Sequence, residues 1–134
     1  MPCPHLSGHH CTIHNDLAKK GFSGCARYDC AGAGQRATAL FNGESWQHNP
    51  ADLPCQMETF RHLRQLHDLL QMLIAAGALP LPLEVERQRL RHLQQLCPDP
   101  MTPALARTLA TGPLPQAVRE FLTSLAPHAA RRPA

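Results

Sequence analysis

Cys3, Cys11, Cys25 and Cys30, four of the six cysteines in this 134-residue chain, lie within its first thirty residues, interleaved with His5, His9, His10 and His14. Thiolate sulfur and imidazole nitrogen are donors that zinc and iron accept readily, and a polar segment with few large hydrophobic residues needs some such cross-link to hold a shape. The spacing is Cys3-x7-Cys11-x2-His14-x10-Cys25-x4-Cys30. Two donors a few residues apart turn toward one ion with little chain entropy to lose. Cys11 with His14, and Cys25 with Cys30, are such pairs. Cys11 and His14 share a face if a helical turn begins there, leaving Cys3 to close the site from an extended arm.

Five candidates compete for the four positions of a tetrahedral site. The four thiolates are the first choice, with His14 second or as an exchange partner. Four thiolates around a divalent ion leave a net negative charge, which backbone donors and nearby cations must soften. Gly32 and Gly34 let the main chain approach the sulfurs, Arg27, Lys19 and Lys20 can offset the charge, and Tyr28 and Asp29 are candidates for the surrounding layer. The spacing lacks the two Cys-x2-Cys knuckles of a zinc ribbon and is not a ferredoxin run, so zinc and an iron-sulfur cluster both stay open. An even number of cysteines also leaves room for disulfides in an exported protein.

Cys3-Pro-His-Leu6, Cys11-Thr-Ile-His14, Gly21-Phe-Ser-Gly-Cys25 and Tyr28-Asp-Cys30 together resemble the cores of bacterial zinc- or iron-chelating cysteine-cluster proteins. The stretch from Gly21 to Gln35 is similar to the cysteine-containing leader of some bacterial pentapeptide-repeat proteins, a likeness that extends through Trp46 toward Leu66-His-Asp-Leu-Leu70. These resemblances imply a metal-chelating module carried on Cys3, Cys11, Cys25 and Cys30. The chain lacks the additional cysteine group that often precedes the first family's core, and it has no run of pentapeptides.

Composition narrows the function classes. The 13 basic and 10 acidic side chains give a formal charge of +3. Residues 1–55 are balanced, and the excess falls after them, too mild to predict a polyanionic partner. Nucleic acid is not expected, and the few aromatics offer no stacking platform. No basic leader precedes an apolar run at the start, and the longest apolar run, Met72 to Ala76, is far short of the roughly 18 residues a membrane span needs. A cytoplasmic protein away from the membrane is expected. There a cysteine cluster more often marks a metal or redox site than a disulfide framework.

The elements that must position the cluster fall into two modules, a Cys/His-rich metal-binding segment at 1–48 and a helical bundle with a loose tail at 49–134. A short helix between Thr12 and Lys20 should end at Gly21 in the left-handed conformation, with Phe22 supplying the accompanying apolar contact. Ala33 to Phe41 fits a helix, although Asn42-Gly43 also suits a hairpin turn. Phe60, Leu63, Leu66, Leu70 and Leu73 recur at helical spacing up to Gly77, and Arg64 can pair with Asp68 one turn on. Leu83, Leu90, Leu93 and Cys97 form the next stripe, which places Cys97 in the core. Thr102-Pro103 has the form of a helix start, and Val118, Phe121, Leu122 and Leu125 mark a final helix after Pro115, followed by a tail carrying Arg131 and Arg132. The fold class is mainly α, a small metal-stapled N-terminal module with a C-terminal helical bundle.

Several further signals carry less. Gly32-Ala-Gly34-Gln-Arg-Ala37 matches a dinucleotide fingerprint only if a buried strand precedes it, and Cys25 to Cys30 has no such character. Cys55 follows a proline in the linker with no assigned role. His62, His67 and His92 suit surface or groove packing, and His9 and His10 can recruit metal loosely. The function expected is metal binding, by zinc or an iron-sulfur cluster, in a structural or sensory role and ahead of catalysis. The competing classes are a cysteine-dependent redox enzyme, with His14 lowering a thiol pKa, and a helical adaptor that binds a protein partner through its C-terminal helices.

Overall fold

The computed structural model describes residues 3–8, 10–27, 29–43 and 47–130. The roles expected of His9, Tyr28, Trp46, Arg131, Arg132 and the Arg27 side chain fall outside what is described. The fold is mainly α. Two short strands, β1 (Leu6–Ser7) and β2 (His10–Cys11), pair antiparallel with Leu6 opposite Cys11 and Ser7 opposite His10. Gly8 turns the chain between them at φ +60°. A 3-10 turn at His14–Asp16 follows, then helices α1 (Ser23–Arg27), α2 (Ala33–Leu40), α3 (Leu53–Ala76), α4 (Leu83–Leu96), α5 (Pro103–Thr111), α6 (Leu114–Ser124) and α7 (Ala126–Ala129).

Local chemistry sets the ends of the early elements. The helical turn after His14 closes where Phe22 N–H donates to the Leu17 carbonyl at 2.7 Å and Gly21 N–H to the Ala18 carbonyl at 3.3 Å, with Gly21 at φ +85°. These are the two bonds of a Schellman closure, which a left-handed residue makes possible. The same pair of bonds ends α2. Gly43 N–H donates to Thr38 and Asn42 N–H to Ala39, with Asn42 itself at φ +59°. The Asn-Gly pair therefore stops a helix rather than turning a hairpin.

The core is built around α3, whose Leu63, Leu66, Leu69 and Leu73 are buried, with α2, α4, α5 and α6 packed on it. Ala33 and Ala37 belong to this core, so α2, which precedes the expected module boundary, packs with the bundle. Gly34 lies beside Phe60 and Cys30, where a Cβ would make ordinary van der Waals contact at 3.9 Å from the Phe60 ring and 3.7 Å from Cys30 Sγ. Thr102 caps α5 by accepting a hydrogen bond from Leu105 N–H at 3.1 Å, and Val118, Phe121 and Leu125 close the core from the last long helix and its end. Arg64 pairs with Asp68 on α3. The segment after Pro127 begins inside the short helix α7.

Three expectations need correction. Leu83 and Leu90 are 65% and 46% exposed, and Cys97 is also exposed, so these three positions of the expected stripe face outward while its fourth, Leu93, packs against the core as expected. Val85, Arg89, Leu93 and Leu96 face α3 and its neighbours instead, with Arg89 buried among them. The inward face was hard to read because an arginine occupies its middle. Its guanidinium donates to the Leu73 carbonyl at 3.0 Å and to both oxygens of Glu86 at 2.6 and 2.8 Å, so the buried charge is paired. The third correction concerns Cys55. A 3-10 turn at Pro50–Asp52 leads directly into α3, which places Cys55 in the first turn of that helix rather than in a linker.

Candidate metal centre

The N-terminal segment builds a cavity of about 250 Å³. Cys3, Cys11, His14 and Cys25 line it, together with His5, over apolar walls from Leu6, Ile13, Leu17 and Phe22. Each donor is placed by a different local device. Leu6 N–H bonds the Cys3 carbonyl at 3.1 Å and tightens the turn that presents Cys3. Strand pairing holds Cys11 opposite Leu6. The 3-10 turn sets His14 three residues on, and the Schellman closure returns the chain through Phe22 to Cys25 in α1. Thr12 ties the two arms together, its N–H and hydroxyl both donating to the His5 carbonyl at 2.9 and 3.0 Å.

His5 was not singled out by its spacing. Its ring meets Phe22 edge to face, with centroids 5.2 Å apart and an 86° angle between planes. The signal that could have marked it is its position two residues after Cys3, on the arm that enters the hairpin. Ile13 is the buried hydrophobic residue of this segment, at 8% exposure. The thiols of Cys3, Cys11 and Cys25 and the ring of His14 are exposed. Among the described residues, no three Cys, His, Asp or Glu side chains are drawn into an arrangement that could hold an ion.

Cys30 lies apart. It lines a separate, open surface recess with Gly34, Gln35, Thr38, Ala39 and Gly43, and its thiol makes a long hydrogen bond of 3.8 Å to Gln35 Oε1. The chain around it is tied to the bundle. His67 Nδ1 and the Ala31 carbonyl are 2.8 Å apart, Ala31 N–H donates to Asp29 Oδ1 at 2.8 Å, and Ala33 N–H donates to the Cys30 carbonyl at 3.0 Å. Asp29 thus supports a turn, and Gly32, at φ +79°, opens α2. The glycine pair expected to face a metal sits with Cys30 and not among the residues that line the cavity of Cys3, Cys11, His14 and Cys25. Among the described residues no strand leads directly into it, the preceding element being α1, so the context a dinucleotide fingerprint needs is not there.

The remaining histidines and cysteines have their own surroundings. His92 Nδ1 lies 3.1 Å from Gln95 Oε1, with its ring 5.1 Å from that of Phe121. Cys55 and His62 line a cavity of about 130 Å³ with Glu58, Thr59 and Arg107. Among the described residues, no helix is long and apolar enough to cross a membrane.

The chemistry of the cavity's donor set, three thiols and two imidazoles, fits a zinc-type ion. Comparison with known proteins adds one relative. The chain is similar to "Uncharacterized protein YybG" of Bacillus subtilis (strain 168), at 39% identity over 71 residues, covering 52% of this chain and 25% of that protein. It therefore spans about a quarter of the length of the relative it matches. No protein-family model matches the chain, and no solved structure does.

Proposed function

We propose that this chain is a metal-binding protein, taking zinc or an iron-sulfur cluster through its N-terminal cysteines and His14, with a structural or sensory role. The observation that carries this reading is the cavity shared by Cys3, Cys11, His14 and Cys25 in a segment whose buried hydrophobic residue is Ile13. Ile13, with Leu17 and Phe22 half-buried beside it, is little apolar burial to set against the entropy of ordering roughly twenty-five residues. A bound ion would supply the missing stabilisation, because its binding free energy becomes folding free energy in such a segment. The resemblance to chelating cysteine-cluster proteins and to the leader of pentapeptide-repeat proteins supports the same reading.

The test is elemental analysis of protein purified without oxygen, with a visible spectrum to separate iron-sulfur from zinc. About one equivalent of zinc or a cluster chromophore is expected. Protein that comes out free of both while its hairpin stays ordered overturns the proposal. A second reading, a helical adaptor for a protein partner, is favoured by the outward stripe of Leu83, Leu90 and Cys97 on α4. Leu83→Glu with Leu90→Glu would abolish capture of such a partner without changing metal content.

A further inference from the structure

Resting on the metal-binding reading, the geometry points to a ligand set of Cys3, Cys11, His14 and Cys25 around a single zinc-type divalent ion, with Cys30 excluded and serving to anchor the module to the bundle. Spacing alone favours Cys30, since it stands five residues after Cys25. The packing separates them. The turn at Cys30 is held by the His67 contact to the Ala31 carbonyl, by Ala33 in the core, and by its own thiol's bond to Gln35. Moving Cys30 into the cavity would break these contacts. Of the five donors that line the cavity, His5 packs its ring edge to face on Phe22, and the other four, Cys3, Cys11, His14 and Cys25, sit on the arm entering the hairpin, its second strand, a 3-10 turn and a short helix with their side chains exposed.

Charge agrees with this choice. Three thiolates and a neutral imidazole leave one net negative charge around a divalent ion, where four thiolates leave two. The amides and glycines that would have softened the second charge lie with Cys30. Imidazole in place of the fourth thiolate also favours zinc over a cluster, which is ordinarily held by four cysteines. Cys30 then has a packing role. Its sulfur lies beside the start of α2, 3.7 Å from where a Cβ on Gly34 would stand, and bonds Gln35 across that first turn.

Anaerobic titration of the full chain with Co2+, followed by displacement with Zn2+, tests the assignment. Cys30→Ser should keep one equivalent of Co2+ and the wild-type spectrum. His14→Ala should weaken uptake by more than about a hundredfold, beyond the usual loss from removing a mere supporting partner. Because His14→Ala could also disturb the turn, His14→Cys is the second variant. It should restore uptake with a stronger sulfur-to-cobalt charge-transfer band. Loss of Co2+ in Cys30→Ser, retention in His14→Ala, failure of His14→Cys to rebind, or an iron-sulfur spectrum in the purified protein each overturn this ligand set while leaving metal binding intact. A wild-type chain that takes up neither Co2+ nor Zn2+ overturns both.

Discussion

Among the described side chains from Cys3 to Cys25, Ile13 is the buried hydrophobic one, whereas α3 alone contributes Leu63, Leu66, Leu69 and Leu73 at 1% exposure or less. The hairpin pairs chiefly with itself, while α2, α4, α5 and α6 all pack on α3. The bundle therefore holds its shape by removing apolar surface from water, and the N-terminal segment holds its own with turns, two Thr12 bonds and a small apolar wall. With the proposed ion bound, such a chain should come apart in two steps with different triggers, a chelator for one region and a denaturant for the other. Cys30 and α2 mark the seam, because they follow the cysteine-rich segment in sequence and belong to the bundle in space.

The strongest way to break this comparison is to strip the ion that the proposed function places at the N-terminal cysteines. A high-affinity chelator should erase the methyl dispersion of Ile13 while helical far-UV circular dichroism persists, a loss on the order of 10 kcal/mol of binding-linked folding energy for the first region. Unchanged Ile13 signals would show that the segment needs no staple. Next, Leu66→Ala should destabilise the bundle by about 2–5 kcal/mol in urea unfolding, since it opens a cavity at a fully buried site, yet leave metal content per folded chain unaltered. Arg89→Ala removes a partner of the Leu73 carbonyl and of both Glu86 oxygens, and roughly 2 kcal/mol should be lost in the same assay. Thr102→Ala, which deletes the α5 cap, should cost about 1 kcal/mol.

The smallest effect is a pH dependence confined to the bundle. Hydrogen bonding from Arg89 holds the Glu86 carboxyl below its ordinary value, aided by the arginine's charge and opposed by partial burial, and it raises Arg89 in turn. A carboxylate whose pKa is lower folded than unfolded stabilises the fold above its unfolded pKa and loses that contribution as the pH falls through the folded value. Acid titration of Glu86→Gln should therefore show a shallower loss of bundle stability than wild type at pH below the ordinary carboxylate range. Identical acid profiles would remove the pair from the account.

Legibility followed the range of the forces involved. Gly21 with Phe22 and Thr102 with Pro103 were readable because a cap is made by residues within one turn of each other. Asn42-Gly43 was ambiguous, as the same positive φ serves a helix end or a hairpin, and packing of Ala33 and Ala37 on α3 decided for the helix. The stripe of Leu83, Leu90 and Cys97 has true helical spacing, but a period does not say which face finds a partner. Arg89 hid the inward face because a charged residue is buried only when its partners, here Glu86 and the Leu73 carbonyl, come to it. For the candidate site, the cysteines and His14 were visible as types and spacings, while His5 was visible only as a neighbouring donor type, since its place beside Phe22 depends on the hairpin.

The sequence by itself determined that this chain has a donor-rich, core-poor beginning and a helical remainder, because donor chemistry and amphipathic period are properties of residue types and short spacings. Tertiary structure alone decided that Cys3, Cys11, His14 and Cys25 share a cavity while Cys30 sits on α2's side, and that α4 turns Val85 and Leu96 inward. The reason is physical. Burial and proximity across many residues are set by which surfaces meet, and that choice is made by the whole of the apolar area at once rather than by any short stretch of chain.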